Sequence, residues 1–295
     1  MSSPAVKPMR PALPGLLVED AVRAALLEDL GRAGDITSNA TIPADAVARA
    51  VLSSRENGIL CGMPLAEAAF RLIDPDVSFS ALHGDADHVA RGAVVAEISG
   101  NARSILAAER VALNYLMRMS GIATYTNRFQ SLIAHTPARV TCTRKTVPGQ
   151  RAFDKYAVKC GGGSNHRYGL DDAILIKDNH VAVCGGVAIA IERARSFAGH
   201  LVCVEVEVDG LEQFREALGA GPDVILLDNM GPELLAEAVA INRAHNGGRI
   251  KLEASGNVRL ETIKAIAETG VDFISTSKVT MAAPTLDLGL DVVIG

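Results

Sequence analysis

Beyond residue 137, short β-rich runs alternate with segments of helical period, and this alternation limits the chain to architectures built on a parallel sheet. The runs are Arg139–Thr143, Ala173–Ile176, Leu201–Val208, Asp223–Leu227, Arg249–Leu252 and Val271–Thr276, with a less obvious one near Gly163–Arg167. Amphipathic helices are predicted between them at Gly186–Ala198, Leu211–Leu218, Pro232–His245 and Leu260–Thr269. Six or seven βα units can close into a barrel. A doubly wound open sheet is the competitor, and no G-x-G-x-x-G follows the first strand to support it.

The preceding half reads differently. Residues 1–15 are expected to form a disordered arm. Leu16, Val18, Val22, Leu26, Leu27 and Leu30 recur at helical steps, and Gly31 follows as a stop. Residues 46–100 read as short strands, among them Val47–Leu52, Gly58–Cys61 and Ala93–Ile98, with turns at Asn57-Gly58, Asp74-Pro75 and Arg91-Gly92. A second long helix is predicted from Ala102 to Met119, ended by Gly121.

The 295 residues are 48% hydrophobic and 21% charged, which suits a globular chain with a real core. A net charge of −5 leaves no electrostatic footprint for nucleic acid, so an anionic ligand needs a local cluster of Lys and Arg. Cys61, Cys142, Cys160, Cys184 and Cys203 form no C-x-x-C pair and read as buried thiols in a reducing compartment. The Pro-rich start lacks the apolar core of a secretory signal, and no apolar run reaches the length of a membrane span. A cytoplasmic protein with no membrane partner is expected.

The strand ends carry the functional signal. Thr143 is followed by Arg144-Lys145, Ile176 by Lys177-Asp178-Asn179-His180, and Leu227 by Asp228-Asn229. Leu252 is followed by Glu253-Ala254-Ser255-Gly256, and Ile274 by Ser275-Thr276-Ser277-Lys278. In a β/α barrel such ends meet at one rim, where catalytic groups sit. In Val204–Asp209 the period of two places three valines on one side and Glu205, Glu207 and Asp209 on the other, inward in a barrel. Arg144, Lys145, His166, Arg167 and Lys177 form a cationic group suited to a polycarboxylate or a phosphorylated substrate. Glu207 and Asp228 suit Mg²⁺ or sugar hydroxyls. Ser255-Gly256-Asn257 and Thr276-Ser277 follow the last two strands, where barrels often bind phosphate. His135, His200 and His245 read as surface residues, and Glu109-Arg110 by itself reads as a solvated pair on a helix.

Several motifs, in order, resemble the quinolinate phosphoribosyltransferase family. They are Thr143-Arg144-Lys145-Thr146-x-Pro148-Gly149-x-Arg151, Lys155-Tyr156-Ala157-Val158, Gly161-Gly162-Gly163-x-Asn165-His166-Arg167 and Leu175-Ile176-Lys177-Asp178-Asn179-His180. Glu205-Val206-Glu207-Val208, Leu226-Leu227-Asp228-Asn229 and Glu253-Ala254-Ser255-Gly256 continue the match. Earlier in the chain, Glu28-Asp29-Leu30-Gly31-x-x-Gly34-Asp35-Ile36-Thr37 and Glu109-Arg110-x-x-Leu113-Asn114 belong to it as well. Ser277 and Lys278 stand where the family often has Gly and Ala.

The resemblance implies an α/β protein, an N-terminal α/β open sandwich plus an incomplete seven-stranded α/β barrel. Residues 1–113, completed by 275–295, would form the sandwich and 114–274 the catalytic barrel. It implies transfer of the phosphoribosyl group of phosphoribosyl pyrophosphate to quinolinate with decarboxylation. The products would be nicotinate mononucleotide, pyrophosphate and CO2, on the route to NAD. It further implies Mg²⁺ as cofactor and a homodimer with shared active sites, into which Arg110 reaches from the neighbour. By the same resemblance Arg144, His166 and Arg167 grip the two carboxylates, and Lys145 and Lys177 are the active-site lysines. Glu207 and Asp228 stand at the ribose and Mg²⁺, and Ser255, Gly256, Asn257, Thr276 and Ser277 stand at the 5′-phosphate. Two other readings stay open: a paralogue acting on another acceptor, and a non-catalytic barrel that only binds a phosphorylated metabolite.

Overall fold

The computed structural model describes residues 11–245 and 247–293, so the arm expected at the start lies, for residues 1–10, outside the described residues. The chain forms two compact units. The first takes the chain up to Tyr125, Ala152–Gly162 and the chain from Ala283; the second takes Thr126–Arg151 and Gly163–Ala282.

The first unit opens with α1 (Gly15–Leu30) and α2 (Ile36–Thr41), then β1 (Val47–Ser54), β2 (Gly58–Ile59), α3 (Met63–Ile73), β3 (Ser78–Ala81), β4 (His88–Val89) and β5 (Val94–Asn101). α4 (Ala102–Leu132) starts here and continues into the second unit. The second unit holds β6 (Arg139–Thr141), and α5 (Arg151–Cys160) belongs almost wholly to the first. The second unit resumes with β7 (Ile174–Ile176), α6 (Asp178–Cys184), α7 (Val187–Phe197), β8 (Val204–Val208), α8 (Leu211–Ala220) and β9 (Val224–Asp228). It ends with α9 (Pro232–Ala244), β10 (Lys251–Ser255), α10 (Ile263–Glu268), β11 (Phe273–Ser275) and α11 (Lys278–Met281). β12 (Leu288–Val293) returns to the first unit.

In the first unit the sheet runs β12-β1-β5-β3, all antiparallel, so the strand nearest the C-terminus forms one edge of it. Leu52, Ile98, Ile105 and Leu116 are at most 2% exposed, and each such burial contributes about 1.5–3 kcal/mol. α1 buries only Val18, Val22 and Leu26 of its periodic set; Leu16 and Leu27 stay exposed. Residues 46–100 are not all strand: α3 lies within them, with Pro64 in its first turn. Asp85 fixes the start of that helix. Its Oδ1 accepts from the Gly62 and Met63 amides, both at 2.9 Å, and the Tyr156 hydroxyl donates to its Oδ2 at 2.7 Å. Burial and the Asp85 charge hold that hydroxyl protonated, and burial does the same for the Cys61 thiol.

α4 corrects a sequence expectation. Gly121 does not end it; the helix runs on to Leu132. A Cβ at Gly121 would lie 2.1 Å from the Pro284 carbonyl oxygen, so this glycine admits a crossing backbone. Next to it, the Leu286 amide donates to the Met117 carbonyl at 3.0 Å. The domain boundary read at 113/114 falls inside this helix, and that at 274/275 inside β11; the units divide after Tyr125 and Ala282 instead.

The second unit carries a parallel sheet in the order β6-β11-β10-β9-β8-β7, with helices in the connections. The seventh strand expected near Gly163–Arg167 is reduced to one bridge, Ser164 beside Thr141 on the free edge of β6. The barrel is therefore incomplete, six strands and a bridge among the described residues. In β8 the outward Val204, Val206 and Val208 are buried, as is the inward Glu205, while Glu207 is half-buried. β8 ends at Val208, so Asp209 does not join the inward acids and is exposed.

Gly121→Ala tests the crossing. Helix propensity alone favours Ala by about 1 kcal/mol, whereas the contact with Pro284 demands a backbone shift that costs about 1–3 kcal/mol. The expected result is a lower urea midpoint; a raised midpoint contradicts the close approach.

Candidate functional site

The C-terminal ends of the parallel strands enclose a cavity of about 730 Å³ that lies entirely within the second unit. Arg144 and Lys145 reach it from the segment after β6, His166 and Arg167 from beyond the Ser164 bridge, and Lys177 from the end of β7. Glu207 of β8, Asp228 of β9, Ser255-Gly256-Asn257 after β10 and Thr276-Ser277 after β11 complete it. Residues from Thr143 to Lys278 thus converge on one space. Arg110 is not among the lining residues; it is an exposed residue of α4 in the first unit.

The cationic side is under-compensated. Arg144 Nε and Arg167 Nε are buried and have no hydrogen-bond partner among the described residues. Arg167 Nη1 donates to the Ala173 carbonyl at 3.1 Å, which aims the guanidinium. Burial and the neighbouring Arg144 charge lower the Arg167 pKa. Two guanidiniums with idle N–H groups in one wall are a site for a ligand with more than one negative group.

The anionic side is shared. Lys177 Nζ lies 3.5 Å from Glu207 Oε2. Burial raises the Glu207 pKa; Lys177 opposes that shift and the Asp228 charge adds to it. Asn229 Nδ2 donates to Asp228 Oδ2 at 2.6 Å and fixes its carboxylate. Glu207 and Asp228 thus put two carboxylates into the cavity, a donor set that fits a hard divalent cation or sugar hydroxyls.

The strand ends at β9 and β10 are held in left-handed backbone. Asn229 and Asn257 have φ of 55° and 52°, and Gly256 has φ +91°. A Cβ at Gly256 would lie 2.1 Å from Asn229 Oδ1, so the glycine lets these two turns touch. The Asn229 amide donates to the Ser255 carbonyl at 2.9 Å, and Asn257 Nδ2 donates to Asn229 Oδ1 at 3.2 Å.

Below the rim lies a group that strand-end reasoning missed. β10 runs to Ser255, three residues further than read from sequence, so Glu253 is a buried strand residue and not a rim residue. His166 Nε2 is 2.9 Å from Glu205 Oε2 and 3.7 Å from Glu253 Oε1. The Arg167 amide donates to His166 Nδ1 at 2.8 Å, so Nε2 carries the ring hydrogen and donates it to Glu205. Both ring nitrogens are engaged by the protein. Asn229, Ser275 and Lys278, read from sequence as strand-end residues, also line the cavity.

Burial and the Glu205 charge push the Glu253 carboxyl up to about 7, against His166 and a hydrogen bond with Ser275. Glu253 therefore holds its proton more tightly in the native chain than in the unfolded one. The resulting stabilisation is complete below the unfolded value of about 4.3 and is lost as pH rises through about 7. Thermal melts from pH 5 to 8.5 are expected to show Tm falling with pH more steeply in the wild type than in Glu253→Gln. Parallel curves contradict the buried acid.

The whole chain has relatives among known proteins. Residues 35–120 match the family described as "Quinolinate phosphoribosyl transferase, N-terminal domain", and residues 122–291 match its C-terminal domain. A Synechocystis protein named "Probable nicotinate-nucleotide pyrophosphorylase [carboxylating]" is 42% identical over 97% of this chain and 96% of its own length. A Bacillus subtilis protein of the same name is 42% identical over 90% of each. The solved nicotinate-nucleotide pyrophosphorylase of Francisella tularensis superposes with a TM-score of 0.91 at 41% identity, covering 98% of this chain and 100% of the other. The chain belongs to the quinolinate phosphoribosyl transferase family.

Proposed function

We propose that this chain transfers the phosphoribosyl group of phosphoribosyl pyrophosphate to quinolinate and releases CO2, forming nicotinate mononucleotide and pyrophosphate in the synthesis of NAD. Relatives carry that activity in their names, which read either "nicotinate-nucleotide pyrophosphorylase [carboxylating]" or "Quinolinate phosphoribosyltransferase [decarboxylating]". The observation that carries the reading here is the pair of under-compensated guanidiniums, Arg144 and Arg167, in one wall with the carboxylates Glu207 and Asp228 in the same cavity.

Arg144 and Arg167 take the two carboxylates of the pyridine. His166 lines the same wall, but its nitrogens are engaged, so the grip rests on the two guanidiniums. The pyridine nitrogen attacks the anomeric carbon as pyrophosphate leaves, and positive charge builds on the ribose. Glu207 and Asp228 stabilise that charge and hold the hydroxyls. Lys145 and Lys177 attract the negative groups of the two substrates. Ser255, Gly256, Asn257, Thr276 and Ser277 receive the 5′-phosphate. Mg²⁺ fits the Glu207 and Asp228 carboxylates and, when bound, supplies neutralisation of the pyrophosphate. Once the ring nitrogen is quaternised it stabilises the electron pair left by CO2, so the cavity needs chiefly to orient the ring and exclude water.

The active form in this proposal is a homodimer in which Arg110 of each subunit serves the other's site. Its exposure on α4 of the first unit supports that role. A cytoplasmic location is part of the same proposal and rests on five free cysteines. No helix among the described residues is long and apolar enough to cross a membrane.

Pyrophosphate and CO2 release with quinolinate, nicotinate and related pyridine acids tests the activity. Release with quinolinate alone is expected. Preference for nicotinate would favour the paralogue acting on a monocarboxylate, and ligand-induced thermal stabilisation without pyrophosphate would favour a binding protein. Lys145→Ala is expected to lose at least about a hundredfold in kcat/KM while keeping its Tm. Arg110→Ala is expected to regain activity when mixed with Lys145→Ala, because a mixed dimer rebuilds one complete site.

A further inference from the structure

Decarboxylation leaves an electron pair on a ring carbon, and the product carries a hydrogen there. That proton comes either from water or from a group in the cavity wall. Guanidinium groups, of which this wall has two, are not proton donors of the kind the step needs. The ring hydrogen of His166 is committed to Glu205, and its other nitrogen accepts from the Arg167 amide. Lys177 lies beside Glu207, and about half of its side chain is exposed to solvent. Glu253 differs from all of these. It is 4% exposed, it lines the cavity, and its Oε1 has no hydrogen-bond partner among the described residues.

We propose that Glu253 is the acid that protonates the carbon vacated by CO2. This rests on the activity proposed above. The bond between the ring carbon and the carboxylate breaks, and its electron pair stays on the carbon as CO2 departs. In the same step the Glu253 O–H breaks, its proton joins that pair to form the new C–H bond, and Glu253 is left as a carboxylate. A proton from water restores it before the next turnover, so each cycle consumes one solvent proton.

The surroundings of Glu253 fit this duty. Glu205 faces it from β8, His166 from the segment beyond the Ser164 bridge, and Ser275 from β11, while Arg167 interacts electrostatically with Glu205. Two buried carboxyls this close cannot both ionise cheaply, so one proton is retained by the pair. Burial and the Glu205 charge keep it on Glu253 near neutral pH. A neutral carboxyl so placed is a stronger acid than an ordinary lysine ammonium by roughly three units, and its pKa sits close to the working pH. After transfer, the new carboxylate lies near the imidazole N–H and the Ser275 hydroxyl.

Single-turnover reactions that follow pyrophosphate, CO2 and quinolinate mononucleotide separately test the assignment. Glu253→Gln is expected to release pyrophosphate within about threefold of the wild-type rate. Its CO2 release is expected to fall at least about tenfold, with quinolinate mononucleotide accumulating. Matching wild-type rates for both products overturn the proposal. Glu205→Gln supplies a readout that a structural role does not move. Removing the neighbouring charge lowers the Glu253 pKa, so the alkaline fall of the CO2 step is expected about one pH unit lower. An unmoved limb overturns the proposal, and this profile decides the matter if Glu253→Gln does not fold. Absence of pyrophosphate release from the wild type with quinolinate refutes the proposed activity instead, a result distinct from either variant outcome.

Discussion

Charges placed inside a barrel have to be answered by other charges, by hydrogen bonds or by a ligand, and that requirement organises the second unit. β8 and β10 turn Glu205, Glu207 and Glu253 inward because their valine, leucine and alanine neighbours occupy the alternate positions. Water cannot solvate the deeper two. His166 answers Glu205, Lys177 answers Glu207, and a retained proton answers Glu253. The guanidiniums of Arg144 and Arg167 keep buried N–H groups idle. The cavity is thus balanced below and incomplete above, where an anionic ligand completes it.

The rim divides by chemistry. Cationic groups come from the segments after β6, the Ser164 bridge and β7; the carboxylates come from β8 and β9. Backbone-rich turns follow β10 and β11, with Asn229, Gly256 and Asn257 in left-handed conformations that few residues adopt. Such strain is maintained where the surrounding contacts over-determine it. Here Gly256 lets the turn after β10 press against Asn229, and that contact links this turn to the residue that positions Asp228.

Much of this was legible in the sequence. The βα alternation identified the parallel sheet, and the polar residues after each run located the rim, because a strand's end is marked by the loss of apolar period. Three features were hidden. α3 lay unrecognised although Glu67 and Arg71 form an exposed stripe opposite the buried Leu65, Ala66, Ala68, Ala69 and Phe70: its eleven residues were read together with the short strands on either side. Gly121 read as a stop because the segment crossing it arrives from beyond Ala282, a contact no local pattern records. Glu253 read as a rim residue because Glu-Ala-Ser resembles a strand's end, whereas pairing with β9 carries β10 on to Ser255. The role proposed for Arg110 was not legible in composition either; only the family resemblance singled it out.

β1 has its partner on one side nearby, in β5, but on the other side it pairs with β12, where Ser53 and Asp291 meet across 238 residues of sequence. During synthesis β1 must therefore wait with one edge bare while the whole barrel emerges behind it. An unpaired edge is a template for any other extended chain, and closing so long a loop is slow. Folding of the first unit is thereby tied to completion of the chain, which makes the newborn polypeptide, more than the finished molecule, the form exposed to aggregation and to the cell's chaperones.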